Sequence, residues 1–164
     1  NSILNYKRTS NYKEINNTLG EFFEIHPIVG SYGFEMYDQL SVYMNKEENV
    51  FVYVVPVSTS FDSISKVFTL DIYATDLLLD DRSNFIDVIS NTERILNDLI
   101  MSFKNYQMYN IARKRNYYIE LTGSQTITPV HNIAMEKSAG NVLRFTVTTY
   151  PLMDECFIKD VTNV

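Results

Sequence analysis

Between Asn49 and Lys104 the apolar positions change period twice, and the change predicts two strands followed by a helix. Val50, Val52 and Val54 alternate with Phe51, Tyr53 and Val55, a β-branched and aromatic run that suits a central strand covered on both faces. Pro56 ends this run or forces a bulge, because it has no N–H for the ladder. Ser58 to Ser65 reads as a turn. The chain then returns with Phe68, Leu70, Ile72 and Ala74 on one face and Val67, Thr69, Asp71, Tyr73 and Thr75 on a wetter one, as an antiparallel hairpin partner. Next, Phe85, Val88, Ile89, Thr92, Ile95, Leu96, Leu99 and Phe103 recur at three- and four-residue steps, which predicts a long amphipathic helix. Asp80, Asp81 and Ser83 stand where its free N–H groups and dipole favour acceptors and negative charge.

The flanks are less regular. A shorter N-terminal helix, capped by Ser10 and carrying Tyr12, Ile15, Leu19, Phe22 and Ile25, ends before His26-Pro27. Ile28 to Gly33 is turn-rich, and Phe34 to Met44 reads as a short strand or irregular packing segment. Asn105 to Arg115 lacks a clear period and reads as a flexible arm. Asn116 to Thr122, the turn Gly123-Ser124 and Gln125 to Val130 predict a second hairpin, His131 to Ser138 a connection, and Leu143, Phe145, Val147 and Thr149 a last strand with one polar face. The expected fold is α+β: a mostly antiparallel sheet built from hairpins, packed by one long amphipathic helix and the shorter N-terminal one.

At 164 residues and 45% hydrophobic content, residues 1–164 are expected to form a single domain with one core. No apolar run reaches the roughly 20 residues of a membrane helix, so no membrane partner is expected. The first residue is Asn rather than Met, from which residues upstream are expected to be missing or removed. The single Cys156 cannot close an internal disulfide. A formal net charge of −6 argues against a main task of gripping phosphates, which needs Lys and Arg.

Candidate chemistry is sparse. Asp76, Asp80 and Asp81, with His131, would suit a small metal-dependent hydrolase, but the alternating ligands and Gly of a calcium loop are missing, and capping explains the same acids. His26 and His131 have no second His at ligand spacing, and Cys156 has no nucleophile motif around it. No phosphate loop, Gly-x-Ser-x-Gly or zinc pattern occurs. Catalytic, cofactor and metal residues are therefore expected to be none. Arg113-Lys114-Arg115, flanked by Tyr109, Tyr117 and Tyr118, leaves three readings open: a solvated loop, contact with an acidic protein neighbour, or contact with DNA. Tyr109, Arg113, Lys114, Arg115 and Tyr117 are the candidate protein-interface residues.

The hairpin around Val50-Phe51-Val52-Tyr53-Val54-Val55-Pro56, the strand ending Asp71-Ile72-Tyr73-Ala74-Thr75-Asp76, the segment Asp81 to Ile100 and the stretch from Ala139 through Cys156 together cover over half of the chain. In order and spacing they resemble the tail-completion or tail-terminator-like neck proteins of tailed bacteriophages, closest to those of Bacteroidota (crAss-like) phages. Phe157-Ile158-Lys159 departs from the Ile-Pro that often follows the final Cys in that family. The resemblance implies a non-enzymatic virion structural protein, assembled in the host cytoplasm. It would form a cyclic homo-oligomeric ring at the head–tail junction, against portal-side, connector or tail proteins, with genome DNA passing through without sequence-specific binding. A monomeric or dimeric adaptor of the same fold is the other non-enzymatic reading.

Overall fold

In a computed structural model, residues 11–36, 50–62, 65–115, 117–132 and 137–151 are described. Ser10, Cys156 and most of the segment Phe34 to Met44 lie outside these residues. The elements in chain order are α1 (Tyr12–Glu24), β1 (Val29–Phe34), β2 (Val50–Phe61), β3 (Lys66–Leu77), α2 (Phe85–Lys104), α3 (Gln107–Lys114), β4 (Tyr117–Leu121), β5 (Thr126–His131) and β6 (Ser138–Pro151). Among the described residues the architecture is α+β: a six-stranded, mostly antiparallel sheet with three helices on one face.

Strand order is β1-β2-β3-β6-β4, with β5 also on β6. β2 and β3 form the predicted hairpin, and β2 is buried on both faces over Val50 to Val55, as that uninterrupted apolar run requires. Val50, Val52 and Val54 face the helices, while Tyr53 on the other side stacks on Tyr73 at 4.9 Å. Its arms are longer than the sequence suggests. β2 continues to Phe61 through a register shift between Pro56 and Ser58, and β3 already begins at Lys66. The shift absorbs the missing proline N–H, so the Ser/Thr run extends the strand instead of turning it.

Three further departures have physical reasons. Val29 to Phe34 is not a turn but a strand that pairs parallel with β2. Gly20 leaves room for the Tyr32 ring on α1, where the Tyr32 hydroxyl donates to Asn16 Oδ1 at 2.9 Å. β4 and β5 do not form a hairpin with each other: both lie antiparallel along the same edge of β6, one beyond the other. β6, with 14 residues, is long enough to carry both. The break between them is held by Gln125, whose Nε2 donates to Thr122 O and Thr146 O and whose Oε1 accepts from Thr146 N. Gly123 takes the left-handed conformation there, at φ 68. The third departure is Gln107–Lys114, a helix and not an arm, because Met108, Ile111 and Ala112 bury one face.

One core joins α1, α2 and α3 to the sheet. Ile15, Leu19 and Phe23 of α1, Ile95, Leu96 and Leu99 of α2, and Met108 and Ala112 of α3 meet Val52, Val54, Leu70, Ile72, Leu143 and Phe145. Each large buried side chain contributes about 1.5–3 kcal/mol. α1 starts at Asn11, whose side chain accepts from Glu14 N at 2.9 Å. The polar link between α2 and the sheet is Asn141, which donates to Ile89 O and Thr92 Oγ1, both at 2.9 Å. Among the described residues, no helix is long and apolar enough to cross a membrane.

Candidate functional site

The surface with the most unspent side-chain chemistry is the corner where α2 ends and α3 begins. Asn105 closes α2, and its Oδ1 accepts from Gln107 N at 3.1 Å to start α3. Between them Tyr106 sits at φ 66, a left-handed conformation that an aromatic residue adopts at a cost of about 1–2 kcal/mol. Tyr106 is 67% exposed. From Tyr106 a run of tyrosines crosses the sheet edge: Tyr106 to Tyr109 at 5.8 Å, Tyr109 stacked on Tyr118 of β4 at 5.3 Å, and Tyr118 to Tyr150 of β6 at 6.0 Å. Phe103 meets Tyr109 edge-on at 5.8 Å and ties the run to the core. Burial, then the nearby Tyr118 and Glu120, push the Tyr109 phenol above its ordinary value. The hydrogen bond from Tyr150 to Glu120 pushes the Tyr150 phenol the same way.

The sequence-predicted interface residues separate into two groups here. Tyr109 and Arg113, four residues apart on α3, share its outer side, with Lys114 next to them. Arg113 and Lys114 are exposed and enter no ion pair with another described residue. Arg115 and Tyr117 face inward. The Arg115 guanidinium lies 3.7 Å from Glu14 and 3.4 Å from Glu21, fastening the end of α3 to α1. Tyr117 is fully buried, with its hydroxyl bonded to Thr18 Oγ1 and Glu14 O, and burial pushes its phenol far up. Tyr117 is not available to a neighbour in the folded chain, and Arg115, with 32% of its side chain exposed, is engaged by the two glutamates. Tyr118 and Tyr106 take their place on the surface. Strand parity carried that signal, since Tyr117 shares its face with Ile119 and Leu121, which leaves Tyr118 outside.

The acidic corner is arranged differently from the expected helix cap. Asn84 holds the turn into α2, accepting from Leu79 N at 2.9 Å and donating to Leu77 O at 3.1 Å. Asp80 bonds to Lys137 Nζ at 2.8 Å, and that hydrogen bond and charge hold its carboxyl below the usual range. Asp81 accepts from Ser83 N at 3.0 Å, with the same effect on its carboxyl. Burial raises the Asp76 carboxyl, partly opposed by the Leu77 N–H that it accepts. The register places Asp76, Ala139 and His131 in one row across β3, β6 and β5. Two strand spacings of about 4.8 Å therefore separate the Asp76 and His131 backbones, with Ala139 between them. No group of three or more His, Cys, Asp or Glu able to hold a metal ion occurs among the described residues.

His26 is the other titratable group with a specific setting. Its Nε2 is 2.7 Å from Asp98 Oδ2, and its Nδ1 accepts from Ile28 N at 3.2 Å. The second bond fixes the tautomer, so Nε2–H donates to the carboxylate and neither nitrogen is open to a substrate proton. The pair pins the turn after α1 to α2, beside a groove of about 450 Å³ that Phe22, Ile25 and Met101 help to line. No protein-family model matches this chain, and no curated protein matches it.

Proposed function

We propose that this chain is a virion structural protein, a subunit of a neck, head–tail connector or tail-terminator ring around the DNA channel of a tailed phage. The observation that carries the reading is the outer side of α3: exposed Arg113 and Lys114 without a counter-charge among the described residues, beside Tyr109 stacked on Tyr118 of the edge strand β4. Aromatic bodies with polar tips and unpaired cations make a surface suited to a protein neighbour. The sequence resemblance to neck proteins supplies the kind of assembly, and a helix packed on a hairpin sheet supplies a rigid body on which such surfaces can be presented. Genome DNA would pass the ring without sequence-specific contact, which suits a subunit of formal charge −6.

The test is the mass and symmetry of the particle that contains the chain, measured on assembled virions by electron microscopy and mass spectrometry. A closed ring of copies at the head–tail junction is the expected result. A particle that lacks the chain, or holds it away from that junction, refutes the reading. Replacing Arg113 and Lys114 together by Ala should weaken assembly in a salt-sensitive way while changing stability by less than about 0.5 kcal/mol.

A further inference from the structure

We infer that copies of this chain associate head to tail, with the acidic, apolar start of α2 on one subunit seated against the basic, tyrosine-rich α3 end of the next. The inference rests on the ring reading and names the two surfaces that would meet. α2 has 20 residues and so separates its ends by about 30 Å. At its start, Leu77, Leu79 and Ile86 are exposed, among Asp76, Asp81 and Asp87. None of these three acids enters an ion pair with another described residue; Lys137 takes Asp80, and Arg82 lies over the Phe85 ring. At its far end, Tyr106 and Tyr118 are exposed, among Lys104, Arg113 and Lys114, and those three cations likewise enter no ion pair with a described residue. Glu14 and Glu21 are spent on Arg115 there, and Glu120 accepts from Tyr150.

A second copy is the occupant that these features select. Two surfaces of opposite charge, each with an exposed apolar centre, sit at opposite ends of one rigid helix. A two-fold contact centred on either end would set acid on acid or base on base, whereas a head-to-tail contact matches both ends and leaves each subunit one free surface for the next. Such a contact closes into a ring when its rotation divides a full turn. The formal charge of −6 does not oppose it, because repulsion between whole subunits is screened over about 8 Å at physiological salt while touching pairs are not.

The decisive experiment reverses each end separately in the full chain. One variant carries Asp81→Lys and Asp87→Lys, the other Arg113→Glu and Lys114→Glu, all at exposed positions, with folding checked by circular dichroism. Sedimentation velocity at high protein concentration measures association, and carbodiimide cross-linking with mass spectrometry maps it. Wild type is expected to give cross-links joining Asp81 or Asp87 to Lys104 or Lys114. Each variant alone should associate on the order of tenfold more weakly or worse, and an equimolar mixture should recover, because every contact is again between opposite charges. Recovery on mixing is an outcome that mere loss of fold cannot produce. If wild type associates but neither reversal weakens it, or the mixture stays dissociated, the assigned surfaces are wrong while self-assembly stands. Wild type that gives no cross-link between its two ends also overturns the inference, and particle symmetry then decides the ring reading separately. Binding of a DNA duplex at about 0.15 M salt that is lost in the Arg113→Glu, Lys114→Glu variant would give the α3 end to nucleic acid instead.

Discussion

Gly140→Ala should be among the most destabilising single-methyl additions in this chain. β6 runs so close to β3 at this point that a Cβ on residue 140 would overlap the Ala74 carbonyl oxygen and stand 2.8 Å from Thr75 Cα and 2.9 Å from the Ala74 carbonyl carbon. Carbon atoms in contact prefer about 3.5–4.0 Å, so the strands must part by roughly an ångström. All three obstacles are backbone, with no flexible side chain to swing aside. A ladder hydrogen bond near 2.9 Å does not survive that displacement. The affected end of the ladder holds the pairs Thr75 with Gly140, Asp76 with Ala139 and Leu77 with Ser138. Losing two or three bonds at about 1 kcal/mol each, with about 1 kcal/mol of overpacking strain, totals about 3–4 kcal/mol. With a urea slope of about 2 kcal/mol per molar, the unfolding midpoint should fall by roughly 1.5–2 M. Two controls separate the causes. Gly33→Ala meets nothing closer than 3.5 Å and should leave the midpoint in place, while Gly123→Ala has open space but a left-handed φ of 68 and should lose about 1–2 kcal/mol. A Gly140→Ala midpoint equal to that of Gly33→Ala would refute the close approach of the two strands.

Tyr117→Phe keeps the buried ring but removes the hydroxyl bonded to Thr18 and Glu14, so it should cost about 1 kcal/mol and lower Tm by about 2–4 °C in a thermal melt; an unchanged Tm rejects that bond. The Asp76 carboxyl is raised by burial, so the stability tied to its protonated form is complete below its unfolded value of about 3.9 and is lost as pH rises through its folded value. Asp76→Asn retains the oxygen that accepts from Leu77 N and should therefore raise the urea midpoint at pH 7 but not near pH 3, a pattern that reverses if the carboxylate is instead stabilised. Tyr106→Gly should relieve the left-handed strain, leaving stability unchanged or up to about 1 kcal/mol higher, while weakening assembly; a variant that assembles normally would show that the exposed ring makes no contact.

What the sequence disclosed, and what it hid, follows from how local each determinant is. The β2–β3 hairpin and the Phe85–Lys104 helix were legible because their apolar periods run for many residues and agree with what burial requires. The turn signal at Gly123-Ser124 was also real, yet a left-handed glycine serves a strand break as well as a reversal. Which of the two occurs is decided by the length of β6, over a dozen residues further on. The same non-locality governs the candidate surface. Arg113, Lys114 and Arg115 are equivalent as a charge run, and only the fold brings Glu14 and Glu21 to the last of them and leaves the first two without a partner among the described residues. Composition thus suggested an interface, but the separation of spent from unspent charge is a tertiary fact. It is also what gives the surface a direction: had Arg113 and Lys114 been neutralised by α1 as Arg115 is, the α3 end would carry little more than tyrosines, and nothing would distinguish head-to-tail association from any other contact.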